Sequence, residues 1–228
     1  MKRLCILLAA ALCCLSTGAL AQEEYVFPDH EVALQQMVKE WHGQNLYTAG
    51  WDKNPGIRNY FVGLADAYPN DFFQKIVHKM LGFDVDGAFF DFVLDPQNGY
   101  VSAVLGTETS PSVQMCYWRC KDGSRLIGVA VQGYEYNLEE SDPSWTDEEI
   151  EDHIFVDLND LAFFRILGDE LIWRPVSVKE LCGRDFDFKL YDIALPRQGK
   201  DIRLTDRDED SGGYLLKWDG ARFSVSKQ

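Results

Sequence analysis

The sequence predicts an α+β fold: a signal peptide over residues 1–21, a helical N-terminal portion over residues 22–82, and an antiparallel β-rich body over residues 83–228. Three observations carry this reading. The hydrophobic period changes from about 3.6 to about 2 at Gly82. Beyond it, aromatic and β-branched runs are broken at short intervals by Gly, Pro, Asp and Asn, which leaves no room for the long crossovers that parallel strands need. A composition of 46% hydrophobic, 26% charged and 13% aromatic residues is globular, and excludes a disordered tail, a collagen-like rod and a simple coiled coil.

Met1, Lys2 and Arg3 open the chain. An apolar run from Leu4 to Leu15 follows, then Ser16, Thr17, Gly18, Ala19, Leu20 and Ala21. A basic start, a hydrophobic stretch of about 12 residues and a small-x-small site are the three parts of a secretory signal, with cleavage expected after Ala21. The stretch is shorter than the ~20 apolar residues of a spanning helix, so an exported protein without membrane insertion is expected.

In the helical portion, Asp29 after Pro28 is a candidate N-cap for a helix whose stripe is Ala33, Met37 and Trp41. The Gly43–Gly56 loop ends it. A second helix is expected over Ile57–Tyr68, closed by Pro69. Asn70 caps a third, with Phe72, Phe73, Ile76, Val77, Met80 and Leu81 on one face and Gly82 at its C-terminal stop.

Strands are expected at 88–94, 100–105, 113–120, 125–132, 153–158, 162–167, 171–175, 186–194, 201–205, 214–218 and 222–225. Asp122-Gly123 and Asp219-Gly220 carry the residues of type I′ hairpin turns. A two-residue turn at the first sets Cys116 opposite Val129, Trp118 opposite Ile127 and Tyr117 opposite Gly128. Both faces of that hairpin are apolar, which makes it central in its sheet. Pro96 to Gly99 precedes the first Asp-Gly pair, as Pro196 to Gly199 precedes the second. Two similar four-strand units account for this, and so does convergence on common turn chemistry. Between them, residues 138–152 form an acidic loop around Pro143 and Trp145, a solvated segment or a contact for a basic partner.

With 37 acidic and 22 basic residues, the formal charge of −15 makes a nucleic acid or an anionic membrane surface a poor partner. After signal removal the cysteines are Cys116, Cys120 and Cys182. Four residues of strand span roughly 13 Å, too far for Cys116 to bridge Cys120. Cys182 joins one of them, or all three are buried thiols.

Catalytic motifs are absent or broken. His30-Glu31-Val32-Ala33-Leu34 begins like a zinc-protease helix but has Leu where the second His must stand. Ser224-Val225-Ser226-Lys227 matches S-x-x-K at the chain end, with no partner motif downstream. The histidines His30, His42, His78 and His153 are scattered, and His30 and His42 are too far apart along a helix to share a metal. Asp206, Asp208 and Asp210 have the D-x-D-x-D spacing of a calcium loop, but the turn Gly comes one place late at Gly212, and Lys217 stands where a bidentate Glu should; a solvated hairpin loop is the simpler reading. Among the tryptophans, Trp51 and Trp145 fall in loops where a ring can stack on sugar, and the others fall at core positions. No catalytic, cofactor-binding or metal-binding residue is therefore assigned.

Leu195-Pro196-Arg197-Gln198-Gly199-Lys200-Asp201-Ile202 and Leu216-Lys217-Trp218-Asp219-Gly220-Ala221-Arg222-Phe223 resemble segments of small secreted Bacteroidales-type proteins of unknown function. The resemblance covers about the last 40 residues and implies no active site. The expected function is an exported, non-catalytic binding or interaction protein for a protein or glycan ligand. The alternatives are a secreted hydrolase with a dispersed carboxylate or Cys site, and a structural envelope component.

Overall fold

A computed structural model describes residues 32–47, 55–85, 87–106, 111–136, 155–167, 172–208 and 212–228. Four helices lie in these segments: α1 (Leu34–Glu40), α2 (Ile57–Ala67), α3 (Asp71–Leu81) and α4 (Val178–Cys182). The strands are β1 (Leu46–Tyr47), β2 (Phe89–Asp95), β3 (Tyr100–Leu105), β4 (Ser112–Arg119), β5 (Arg125–Gln132), β6 (Tyr134–Tyr136), β7 (Phe155–Asp157), β8 (Asp160–Ile166), β9 (Ile172–Val176), β10 (Tyr191–Ala194), β11 (Ile202–Asp206), β12 (Gly213–Trp218) and β13 (Phe223–Lys227).

All strand pairs among the described residues are antiparallel. A seven-stranded sheet has the order β1-β9-β8-β5-β4-β3-β2, a four-stranded meander runs β10-β11-β12-β13, and β6 pairs with β7. Helices α1 to α3 cover one face of the large sheet, where Met37, Trp41, Phe61 and Phe73 pack against Met115, Ile127, Phe164 and Trp173. The meander covers the other face, joining Ile202, Leu204 and Leu216 to Trp118, Leu126 and Phe163. The order of layers is helices, large sheet, small sheet. Strands β4 and β5 sit in the middle and are buried on both faces, as the two apolar faces of their sequence require.

The local chemistry of α3 is as expected. The Asn70 side chain accepts a hydrogen bond from the Phe73 N–H at 2.8 Å, and Gly82, at φ +88°, closes the helix with its N–H on the carbonyls of His78 and Lys79. Phe72, Phe73, Ile76, Val77 and Met80 are buried, whereas Leu81 is 41% exposed, on the far side of the stripe. In α1 the described helix starts at Leu34. Ala33 is its exposed N-cap, so the buried stripe is Leu34, Met37 and Trp41; Asp29 lies outside the described residues.

The Asp-Gly corners close differently from the two-residue turns expected. Arg119 pairs with Arg125 and the Cys120 N–H reaches the Ser124 carbonyl, which leaves a three-residue loop, Lys121-Asp122-Gly123, with Gly123 at φ +84°. Cys116 therefore faces Gly128 and Trp118 faces Leu126. Tyr117 faces Ile127, and Val129, expected opposite Cys116, instead pairs with Met115 on the helical face. One residue of slip reverses every side chain of a strand. At the second corner the Asp219 N–H bonds the Arg222 carbonyl, so Gly220-Ala221 is the turn, and Asp219 Oδ1 accepts from the N–H groups of both Ala221 and Arg222. The two corners touch: the Lys121 N–H donates to the Gly220 carbonyl at 2.8 Å.

Two further corrections concern the chain between the sheets. Residues 186–194 are not one strand: Phe188–Leu190 form a 3-10 turn, capped by Asp187, before β10 begins. Helix α4, capped by Ser177, stands in the part expected to be β throughout.

Candidate functional site

At the end of the sandwich away from the touching corners, the small sheet, α4 and the 3-10 turn leave a group of aromatic rings at the surface. Gly183, at φ +73°, terminates α4 and turns the chain back, so that the Arg184 guanidinium lies 4.9 Å from the ring centroids of both Phe186 and Tyr214. Phe186 stacks on Phe188 at 6.0 Å and meets Tyr214 edge-on at 5.4 Å; Tyr191 meets Tyr214 at 5.9 Å. Phe186, Tyr191 and Tyr214 are half-buried, and Leu190 beside them is 53% exposed. Arg207 fixes this margin from below through Asp157 and Asp192, both at 3.3 Å, and through its own N–H on the Leu190 carbonyl. Half-buried rings with a cation beside them are the kind of surface that can contact a sugar ring or an apolar peptide side chain.

The groups that a hydrolase reading would draw on are placed as follows. Burial raises the Cys116 thiol well above its ordinary pKa and pushes that of Cys182 up to about 12. A raised pKa removes the thiolate that a nucleophile needs. All three cysteines are free thiols, so no disulfide joins Cys182 to Cys116 or Cys120. Asp160 accepts a hydrogen bond from the Trp41 Nε1–H at 2.8 Å and lies 2.6 Å from His42 Nε2. This is an orienting acid with an imidazole, and it ties α1 to the start of β8. Among the described residues no hydroxyl or thiol is hydrogen-bonded to that ring, so no nucleophile–base–acid triad is completed among them.

Among the described residues no three His, Cys, Asp or Glu side chains gather as a metal site. In the 206–212 hairpin, Asp206 Oδ1 accepts from the Asp208 N–H, while Arg207 between them points to Asp157 and Asp192. Asp210 lies outside the described residues, as do His30, His153, Trp51, Trp145 and the acidic loop 138–152. Trp41, Trp118, Trp173 and Trp218 are buried, as their positions in the sequence imply.

The sequence missed two groupings. One is the ring group, because the sequence pattern places Phe186 and Phe188 in one strand and the approach of Tyr191 to Tyr214 depends on the pairing of β10, β11 and β12. The other is an arginine pair. Arg119 and Arg125 stand directly opposite one another at the corner end of β4 and β5. Arg125 donates to the Pro55 carbonyl at 2.6 Å and to the Tyr60 hydroxyl, and its guanidinium lies 5.8 Å from both the Tyr60 and Tyr117 ring centroids. Burial raises the Tyr60 phenol pKa, with Arg125 acting in the opposite sense. The Trp173 ring meets that of Tyr60 at 6.0 Å, and the buried Trp173 Nε1–H has no acceptor among the described residues.

No protein-family model matches this chain, and no curated protein or solved structure does either.

Proposed function

We propose that the protein is an exported, non-catalytic binding protein whose ligand, a glycan or a peptide, docks on the rings of Phe186, Tyr191 and Tyr214. The observation that carries this reading is the half-buried ring group with Arg184 stacked on two of its members. Sugars and apolar side chains bind by covering such rings, at low conformational cost to the protein. The raised thiol pKa values of Cys116 and Cys182 weigh against covalent catalysis.

Export is read from the signal-like pattern of residues 1–21 alone; separately, among the described residues no helix is long and apolar enough to cross a membrane. Residues 89–132 and 191–227 are read as a repeated four-strand unit, supported by the same meander order and by glycines of positive φ, Gly99 and Gly199, closing each first turn.

Affinity electrophoresis through gels containing neutral polysaccharides, with pull-downs on immobilised peptides, tests the binding reading. At least one ligand should retard or retain the protein, and Tyr214→Ala with Phe186→Ala should abolish the effect while the far-UV spectrum is kept. Retention unchanged in that variant removes the rings as the site. Mass spectrometry of the exported chain should find Gln22 at its N-terminus.

A further inference from the structure

We infer that Arg119 and Arg125 form a second binding site, for an oxyanion group: a carboxylate, sulfate or phosphate. The site lies at the corner end of the large sheet, on its helical face, and is independent of the aromatic end.

Two guanidiniums directly opposite on antiparallel strands hold like charges within about 5 Å at their Cβ atoms, an arrangement that weakens a sheet. This chain has 37 carboxylates to offer against 22 basic side chains. Elsewhere it uses them: Arg165 pairs with Asp122, Arg197 with Asp95, and Arg207 with Asp157 and Asp192. Among the described residues no carboxylate pairs with Arg119 or Arg125, and Arg119 makes no side-chain hydrogen bond.

Arg125 is held in place. Its bonds to Pro55 and Tyr60 and its position beside two rings fix the guanidinium before any ligand arrives, which lowers the entropic cost of binding. Arg119 is exposed and supplies the second fork. Two planar forks match the paired oxygens of a carboxylate, sulfate or phosphate. The α2 N-terminus adds its partial positive charge.

The overall charge of −15 does not oppose this, because at physiological salt charges beyond about 8 Å are largely screened and the local group dominates. It does oppose long polyanions, which would reach the acidic remainder of the surface.

Isothermal titration of the purified protein with sodium sulfate, inorganic phosphate and glucuronate, with ionic strength matched by chloride, tests the site. Saturable one-to-one binding of at least one probe is expected, weakened by about tenfold or more in Arg119→Ala, the loss of a charge-assisted pair of hydrogen bonds. Arg119→Gln serves as the second variant, and thermal melts verify that both fold. Sulfate alone points to a sulfated glycan as the source, glucuronate alone to an acidic sugar, and phosphate alone to a phosphorylated ligand. Binding of none of the three, or binding by Arg119→Ala and Arg119→Gln equal to that of the unmodified protein, overturns the assignment.

Discussion

Gln132 completes the backbone of Ile193: its Oε1 accepts from the Ile193 N–H at 2.6 Å, and its Nε2 donates to the Ile193 carbonyl at 2.9 Å. Gln114 continues the pattern, donating to the same carbonyl at 3.0 Å and accepting from the Leu195 N–H at 2.9 Å. Asn159 Nδ2 reaches the Tyr191 carbonyl at 3.3 Å. Side-chain amides rising from the large sheet thus stand in for a missing neighbour strand along the free edge of β10. An open edge is a template for aggregation, and here the lock that joins the two sheets also closes it.

Replacing Gln132 with Leu leaves the Ile193 N–H without its acceptor and should cost about 1–3 kcal/mol. Urea denaturation measures the loss, and hydrogen exchange at the Ile193 amide should accelerate more than at β12. Gln132→Glu is a sharper variant. Its carboxylate keeps the acceptor but faces the Ile193 carbonyl with a second negative oxygen, so it should be destabilised at neutral pH and should partly recover in mild acid, where the carboxyl can donate. Equal stability at both pH values would contradict the edge-closing role.

Gly128 is a site where the ordinary preference of strands for a side chain reverses. A Cβ there would stand 2.9 Å from the Trp118 ring and 3.4 Å from that of Phe163. Trp118 cannot easily withdraw, because its Nε1 donates to the Lys200 carbonyl at 2.9 Å and its ring packs on Trp218 and Phe223. Gly128→Ala should therefore destabilise by about 1–3 kcal/mol, through overpacking, and lower the midpoint of a thermal melt.

Asn70 caps α3 from an almost buried position and also donates to the Tyr68 carbonyl at 3.0 Å. Asn70→Ala should cost about 1–2 kcal/mol, seen as a lower denaturant midpoint with an unchanged slope.

Stability should fall on the alkaline side. Burial raises the thiols of Cys116 and Cys182 and the phenols of Tyr60, Tyr68 and Tyr100, with Cys182 and Tyr68 each pushed up to about 12. Above the ordinary thiol and phenol values the unfolded chain releases protons that the native chain retains, so the unfolding free energy decreases as pH rises from about 9 toward 12. On the acid side, Asp95, held low by Asn98 and Arg197, Asp122, held low by Ser124, and Asp219, held low by the Arg222 and Ala221 N–H groups, lose their contribution as pH falls through their depressed values. A denaturation series from pH 3 to 11 should show a plateau near neutrality with losses at both ends; a rise above pH 9 contradicts the assignment.

The same burial predicts slow thiol chemistry. Alkylation of the native protein at neutral pH should leave Cys116 unmodified and label Cys182 far more slowly than a free thiol, and denaturant should release all three. Rapid labelling of Cys182 in the native state would restore the case for a nucleophile.

Local chemistry alone determined much of this protein. Asn70 and Gly82 delimit α3 because a cap and a left-handed stop act within one helical turn, and the bounds of β3 and β5 are the 100–105 and 125–132 that their strand pattern predicts. The antiparallel sense followed from short connections, and the central place of β4 and β5 from strands apolar on both faces. Tertiary structure decided the rest. The Asp-Gly pair that suggests a two-residue turn closes around three residues at Gly123 and shifts its neighbour by one at Gly220, since the stacking of the two sheets fixes which side chains must face inward. Register, in turn, set Arg119 against Arg125 and brought Tyr191 to Tyr214. Leu46 pairs with Trp173 across more than half the chain, a contact that no local pattern encodes. Hydrophobic period and capping are short-range signals, whereas the layer order and both candidate sites depend on contacts between distant segments that only burial of the two cores could select.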